Sequence, residues 1–443
     1  MTLISGRYDM KTTSSTITNP GHIASYYAAT AHDKRPREPL LGSIETDVCI
    51  VGAGFTGISA ALQLAEHGFG VVVLEADRIG FGASGRNGGQ IVNGYSRDLD
   101  AIARRYGDDT ATHLARMSLE GGEIIRERVG KYDIRCDLVE GGFFAAFTDK
   151  QVREMAEVKS NWEKHGHTGL EMVGATDVSR YVRSDRYRGG MIDRFGGHLH
   201  PLNLVLGEAA AVEKLGGRIF EDSRAVDIAF DTHPVVRTKD GQVKARYVLV
   251  CGNAYMGSLL PELTSKIMPV SSQVMATEPL DAELLDDLLP ANYCVEDANY
   301  VLDYYRRTAD NRLLYGGGIG YGGQDPANLT AVIRPNMIKT FPVLRNAAID
   351  FAWSGNFALT LTRIPHVGKF SDTVYFSHGD SGHGVTTTHL LGKILAEAVS
   401  GHAGRFDVWA SLTAYPFPGG RALRVPLTAL GAWWYGLRDR FGI

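Results

Sequence analysis

The stretch Asp47-Val-Cys-Ile-Val-Gly-Ala-Gly-Phe-Thr-Gly57 decides the fold. Val48 to Val51 is a short apolar run of the kind that forms a buried strand, and Gly52, Gly54 and Gly57 then fit G-x-G-x-x-G. From Ile58 to His67 the apolar positions recur at helical spacing. The first glycine permits a tight turn, the second lets backbone approach a pyrophosphate, and the third lets helix and strand pack closely. The helix N-terminus adds a partial positive charge. A second apolar run, Val71-Val-Val-Leu, closes on Glu75, at the roughly 20-residue spacing where an acid accepts hydrogen bonds from ribose hydroxyls. A glycine-rich turn between ordinary elements is the bland alternative. Here strand, helix, second strand and acid all fall in place, which predicts an α/β dinucleotide-binding unit.

The segment after Glu75 narrows the nucleotide. Gly80-Phe-Gly-Ala-Ser-Gly-Arg-Asn-Gly-Gly-Gln90 is a second glycine-rich stretch directly beyond the acid-bearing strand. Its backbone amides and the side chains of Ser84, Arg86 and Asn87 suit a diphosphate and a flavin, a loop that a nicotinamide enzyme does not need. A third such stretch, Gly379-Asp-Ser-Gly-His-Gly-Val-Thr386, lies between the strand Val374-Tyr-Phe-Ser and a helix. A backbone nest at a helix N-terminus suits the negative charge that a reduced flavin carries.

Composition sets the outer bounds. A chain of 443 residues predicts two or three domains. Lys+Arg (46) nearly balances Asp+Glu (50), so no global field favours nucleic acid or an anionic membrane, and small molecules are the expected partners. Cys49, Cys136, Cys251 and Cys294 are far apart and without zinc spacing, so no metal is expected; Cys49 and Cys251, within strand-like apolar runs, read as buried thiols in a reducing cytoplasm. The first forty residues show neither a signal peptide nor a twin-arginine motif, and no apolar run approaches 18 residues. The expectation is a cytoplasmic protein with no membrane span.

In chain order, residues 1–43 read as an N-terminal arm, extended near Ser25-Tyr-Tyr-Ala-Ala-Thr30. Residues 44–100, 190–265 and 361–405 read as the nucleotide domain, and 101–189 and 266–360 as a substrate domain with a helical insertion. Tyr300 to Arg306, the Ala309-Asp-Asn311 turn and Arg312 to Gly316 read as a hairpin. Residues 406–443 form an aromatic tail around Trp433-Trp-Tyr, read as packing on the core, with a partner or a membrane surface as alternatives.

Taken together, the glycine loops and Ser381-Gly-His-Gly-Val resemble the FAD-dependent D-amino-acid oxidase superfamily, which includes glycine and sarcosine oxidases. More narrowly the chain is similar to the gamma-glutamylputrescine oxidoreductases of bacterial putrescine breakdown. That resemblance rests on Ser25-Tyr-Tyr-Ala-Ala, Gly80 to Asn93, Gly196-Gly-His-Leu-His-Pro-Leu-Asn203, Cys294-Val-Glu-Asp-Ala-Asn-Tyr300, Leu302-Asp-Tyr-Tyr-Arg306 and Tyr415-Pro-Phe-Pro-Gly-Gly420. It implies a Rossmann-like FAD domain interleaved in sequence with an antiparallel-sheet substrate domain. It also implies transfer of hydride from the carbon beside an amine to the flavin, hydrolysis of the imine, and reoxidation by oxygen or another acceptor. The narrower family turns the terminal amine of gamma-glutamylputrescine into gamma-glutamyl-gamma-aminobutyraldehyde, with ammonia and hydrogen peroxide released. The alternatives are another amine or amino acid, or a protein that keeps FAD structurally and binds a partner.

The expected FAD contacts are Gly52, Gly54, Phe55, Thr56, Gly57, Glu75 and Ala76 in the first loop and acid-bearing strand. Gly82, Ala83, Ser84, Arg86, Asn87, Gly88, Gly89 and Gln90 belong to the second loop. Val226, Gly252, Asn253, Arg363, Gly382, His383, Gly384, Val385 and Thr386 complete the set. Ser84, Arg86 and Asn87 stand where some relatives attach flavin through His or Cys, so non-covalent FAD is expected. An ammonium has no lone pair to expel hydride, so the reacting amine must be made neutral by a base or by desolvation. His200 is a candidate base, with capping of a helix as its other reading. Alternation puts Arg306 on the face of Tyr304. There Arg306 is expected to pair the glutamyl carboxylate, and Tyr304 to frame the aliphatic chain.

Overall fold

The structure, a computed structural model, describes residues 21–420 and 423–430. The first twenty residues and Trp433-Trp434-Tyr435 lie outside the described residues.

Val48 to Val51 and Val71–Leu74 are buried on both faces, which is why they read as unbroken apolar runs, and they pair in parallel. They sit in a sheet ordered His366–Ser371, Val374–His378, Gly241–Val250, Gly42–Val51, Val71–Leu74 and Arg218–Phe220. Every neighbouring pair in that order is parallel except the first. A small hairpin, Asp227–Ala229 with Val235–Arg237, adds antiparallel to the start of Gly241–Val250. Helices Phe55–Glu66, Pro201–Lys214 and Gly384–Val399 pack together in one large apolar cluster beside this sheet.

The second sheet has nine strands and carries the substrate side. It runs Ile349–Thr360, Ile267–Thr277, Leu313–Tyr321, Tyr304–Arg307, Cys294–Asp297, Val139–Ala146, Gly189–His198 and Gln90–Ile91, with Leu170–Gly174 beside Gly189–His198. Its one parallel pair joins Cys294–Asp297 to Val139–Ala146; the others are antiparallel. The expected hairpin is present, with Tyr304 opposite Gly316 and Asn311 at positive φ in its turn. Interleaving of the two units in sequence is therefore observed.

Two expectations differ from what is found. Gly189–His198 runs in the second sheet, although residues from 190 onward read as nucleotide domain, and the chain returns to the first unit only with helix Pro201–Lys214. A strand's own residues do not encode which sheet it joins. Tyr26–Thr30 is a short helix rather than an extended arm, because the Ser25 hydroxyl accepts a hydrogen bond from the Ala28 amide.

A buried ionic network fastens the helical layer. Arg128, on helix Asp108–Lys131, donates to the Ser59 hydroxyl at 2.9 Å, to the Ser59 carbonyl at 3.1 Å and to Glu208 at 3.0 Å. The other Glu208 oxygen lies 3.2 Å from His389 Nε2, and the Ser59 hydroxyl donates to the His389 carbonyl. Four helices meet there. Burial pushes the Glu208 carboxyl up, but His389 and Arg128 overcome it and hold the group below its ordinary value. Removing one partner of such a pair leaves a charge stranded out of water. Arg128→Met is therefore expected to cost about 3–5 kcal/mol. The exposed Arg194–Glu171 pair is a control, and Arg194→Ala is expected to leave the unfolding midpoint nearly unchanged because solvent screens the pair. Urea denaturation midpoints of the two variants check the contrast.

Candidate active site

The first strand stops at Val51, and the turn after it is forced by close approach. Gly52 has φ 105°, and a Cβ there would lie 2.9 Å from the Cys251 carbonyl oxygen. A Cβ on Gly57 would lie 2.0 Å from the Gly52 carbonyl oxygen, so only glycine lets the helix approach the strand this closely. Beyond the turn opens a cavity of about 570 Å³ lined by both sheets. The nucleotide unit contributes Gly52, Gly54, Phe55, Thr56, Glu75 and Ala76, then Gly82, Ala83, Ser84, Arg86, Asn87 and Gly88, and Gln90 follows from the edge of the second sheet. Gly252, Asn253, Arg363, Gly382, His383, Gly384 and Val385 line it as well. The substrate sheet contributes Ser272, Glu296, Tyr304, Ile319 and Phe357.

Several of these residues build the cleft as well as facing it. The Ser84 hydroxyl accepts from the Phe55 amide at 2.9 Å, so the second glycine loop caps the nucleotide helix. Asn87 donates to the Ala83 and Ser84 carbonyls and accepts from the Gly89 amide, which closes its own loop. Arg86 is buried, donates to the Phe81 carbonyl and lies 4.7 Å from the Phe81 ring centre. Asn253 accepts from the Gly379 amide and donates to Asp380 at 2.6 Å, fixing the third glycine loop. Glu75 accepts from the Ala53 and Asp77 amides. Burial pushes its carboxyl up to about 7 against the pull of those amides.

Other expected contacts fall elsewhere. Val226 is 56% exposed and its amide goes to the Arg237 carbonyl, while Arg224 and Ala225 line the cavity in its place. Val226 lies in the segment just ahead of strand Asp227–Ala229, where the chain turns from the cavity toward solvent. Gly57 and Gly89 sit behind the wall; a Cβ on Gly89 would lie 2.1 Å from the Leu199 carbonyl oxygen. Thr386 is buried and donates to the Val92 carbonyl, leaving Thr388 to face the cavity.

The substrate assignments change most. His200 is outside the cavity: its Nδ1 accepts from the Asn203 amide as the cap of helix Pro201–Lys214, and Nε2 lies 3.0 Å from the Thr30 hydroxyl. Burial and then Arg306 lower it to about 3, and the ring is packed between Tyr26 and Tyr27. Its capping reading fits and its basic one does not. Arg306 is also withdrawn, donating to the Gly88 carbonyl at 2.8 Å, to the Tyr27 hydroxyl at 3.0 Å and to the Arg307 carbonyl. Tyr304 does line the cavity, its ring held between Gly88 and Gly316, where a Cβ would come within 2.6 and 2.1 Å of it. Sequence reasoning passed over Glu296 as a site residue. The alternation of Cys294-Val-Glu-Asp297 was the available signal, since Cys294 and Glu296 share a face.

The residues present fit a flavin dinucleotide. Nine glycines line the cleft, so backbone rather than side chain meets its contents, as a diphosphate requires. An acid ends the second strand, two helix N-termini open on the space, and the buried Nδ1 of His383 has no hydrogen-bond partner among the described residues. Among the described residues no cluster of metal-ligating side chains occurs, and no helix is long and apolar enough to cross a membrane.

A parallel nucleotide sheet, a glycine-lined cleft and an antiparallel second sheet define a flavin-dependent oxidoreductase. The chain belongs to the FAD dependent oxidoreductase family, whose model matches residues 47–398. It is 55% identical over 423 residues to the gamma-glutamylputrescine oxidoreductase of Escherichia coli (strain K12), covering 95% of this chain and 99% of that protein. A probable oxidoreductase of Haemophilus influenzae, OrdL, is 39% identical over 95% of this chain and 98% of its own. Glycine oxidase from Bacillus cereus superposes with a TM-score of 0.69 at 19% identity, covering 84% of this chain and 99% of that one, a likeness of fold.

Glu75 gives a test of the cleft. A ribose hydroxyl donating to it favours the ionised carboxylate, so bound FAD lowers its pKa from about 7. Affinity of the cofactor-free protein for FAD is expected to hold above pH 7 and to fall as pH drops below it. In Glu75→Gln the affinity is expected to be weaker by about ten- to a hundredfold and flat with pH. Fluorescence titration of FAD from pH 6 to 8 checks both.

Proposed function

We propose that this protein oxidises the terminal primary amine of gamma-glutamylputrescine, using non-covalent FAD. With water and oxygen the products are gamma-glutamyl-gamma-aminobutyraldehyde, ammonia and hydrogen peroxide. The observation that carries this reading is the 55% identity with the Escherichia coli enzyme of that name, which extends through both units of the fold. FAD, when bound, supplies the two-electron acceptor. The chain's own residues must bind the substrate, orient its reacting carbon and exclude water.

The cavity wall supports such a substrate. Tyr304, Leu302, Ile319 and Phe357 offer apolar surface for a four-carbon chain. Tyr304 is held rigidly, with its hydroxyl 3.4 Å from that of Ser272. Since Arg306 is committed to Gly88 and Tyr27, we assign the glutamyl carboxylate to Arg363. That residue stands in the left-handed region at φ 63°, lines the cavity and donates to the Tyr300 hydroxyl at 2.7 Å. A guanidinium at this place suits a carboxylate held in a two-point fork.

Two measurements test the reading. Anaerobic bleaching of the flavin is expected to be fast with gamma-glutamylputrescine and slow with putrescine, sarcosine, glycine and D-alanine. Fast bleaching by one of the others, with none by the first, would transfer the function to that amine. Arg363→Ala is expected to raise KM for gamma-glutamylputrescine by about ten- to a hundredfold with kcat nearly unchanged, because the carboxylate is bound equally in ground and transition states.

A further inference from the structure

Among the described residues, Glu296 is the one acid on the substrate-sheet side of the cavity wall, and none of them answers it with a hydrogen bond or an ion pair. It lies in strand Cys294–Asp297, directly across from Tyr304, and lines the same cavity. Its accessible surface is cavity wall rather than protein exterior. The neighbouring groups are otherwise committed. Arg306 is turned to Gly88, Arg307 and Tyr27, Gln90 donates to the Val295 carbonyl, and the Cys294 thiol donates to the Gly197 carbonyl. The cavity's arginines are bound elsewhere: Arg86 to the Phe81 carbonyl, Arg224 to Asp77 and Arg363 to Tyr300. Burial alone pushes the Glu296 carboxyl up to about 7, with no cation drawing it down.

A carboxylate enclosed without a partner is costly, and the cost is relieved when a ligand brings the opposite charge. On the reading of an amine substrate given above, we propose that Glu296 receives the substrate's terminal ammonium and selects a terminal alkylamine over an α-amino acid. The selection has two parts. An alkylammonium meets the carboxylate in a charge-assisted hydrogen bond, and an α-amino acid would bring its own carboxylate, on the carbon bearing the amine, against the same charge. Withdrawal of Arg306 points the same way, because it removes from this hairpin the cation that an α-carboxylate needs. Transfer of one proton from ammonium to Glu296 leaves a neutral amine and a neutral acid, the protonation state from which carbon can lose hydride.

Equilibrium binding separates this from a structural role. The FAD-loaded protein, reduced beforehand with dithionite and kept anaerobic, binds ligands without turnover. Calorimetry then compares gamma-glutamylputrescine with the analogue carrying a terminal hydroxyl in place of the amine. The native protein is expected to prefer the amine by at least about tenfold. Glu296→Gln is expected to lose that preference while binding the alcohol as before, and Glu296→Asp to restore part of it. Glycine binding is expected to strengthen in Glu296→Gln. An amine preference that survives Glu296→Gln would overturn the proposal. Butylamine and butanol provide the same comparison without the glutamyl group. If the native protein binds neither glutamyl ligand yet prefers butylamine, and Glu296→Gln abolishes that preference, the role of Glu296 stands and the assigned substrate falls.

Discussion

Close contact between backbones is the constraint on which the rest of this molecule depends. The helix after Gly57 touches the turn before it with no side chain between, and the same device recurs in the next layer. A Cβ on Gly392 would lie 2.6 Å from the Thr56 carbonyl oxygen, and one on Gly121 would lie 2.3 Å from that of Thr386. Three helices are thereby drawn to a spacing that ordinary side chains forbid. Once they are this near, Arg128, Glu208, Ser59 and His389 converge from four helices, with their donors and acceptors almost wholly answered by one another. The network sits behind the nucleotide helix and fixes the direction in which its N-terminus points.

The two sheets divide the labour of the cleft. The parallel sheet delivers loops whose amides and carbonyls face inward, and it depends little on side-chain identity beyond glycine. The antiparallel sheet delivers side chains, among them Ser272, Glu296, Tyr304 and Phe357. Proteins with about one residue in five in common can therefore share this architecture, as the Bacillus cereus structure does. Chemistry on the substrate side is set by a few positions on strands that pair residue by residue.

Much of the cofactor side was legible in the sequence because its signals are local. Gly52, Gly54, Gly57 and Glu75 act within one strand-helix-strand unit, and their spacing states their geometry. Val226 failed by one residue, since nothing nearby in the chain says where the segment ahead of strand Asp227–Ala229 leaves the cavity. On the substrate side the determinants are distant. Alternation correctly grouped Arg306 with Tyr304, yet the direction of the guanidinium is set by Tyr27 and Gly88, far away in sequence. Glu296 was hidden for the same reason, because its character comes from the absence of partners. His200 shows the reverse case: beside Pro201 its capping role could be read from the chain, and capping is what it does.

The clamp on Arg306 also ties the amino-terminal helix to the reaction chamber. Tyr27 holds the guanidinium, Tyr26 donates to Asp310 in the hairpin turn, and Thr30 meets His200. A segment of five residues thus acts as a doorstop behind the hairpin, keeping its cation out of the chamber and its tyrosine in. Lineages that altered Tyr27 would remove one of the three holds on that positive charge without touching a single lining residue. Substrate preference in this architecture can therefore drift through the amino-terminal segment, a region that comparisons of pocket residues leave out.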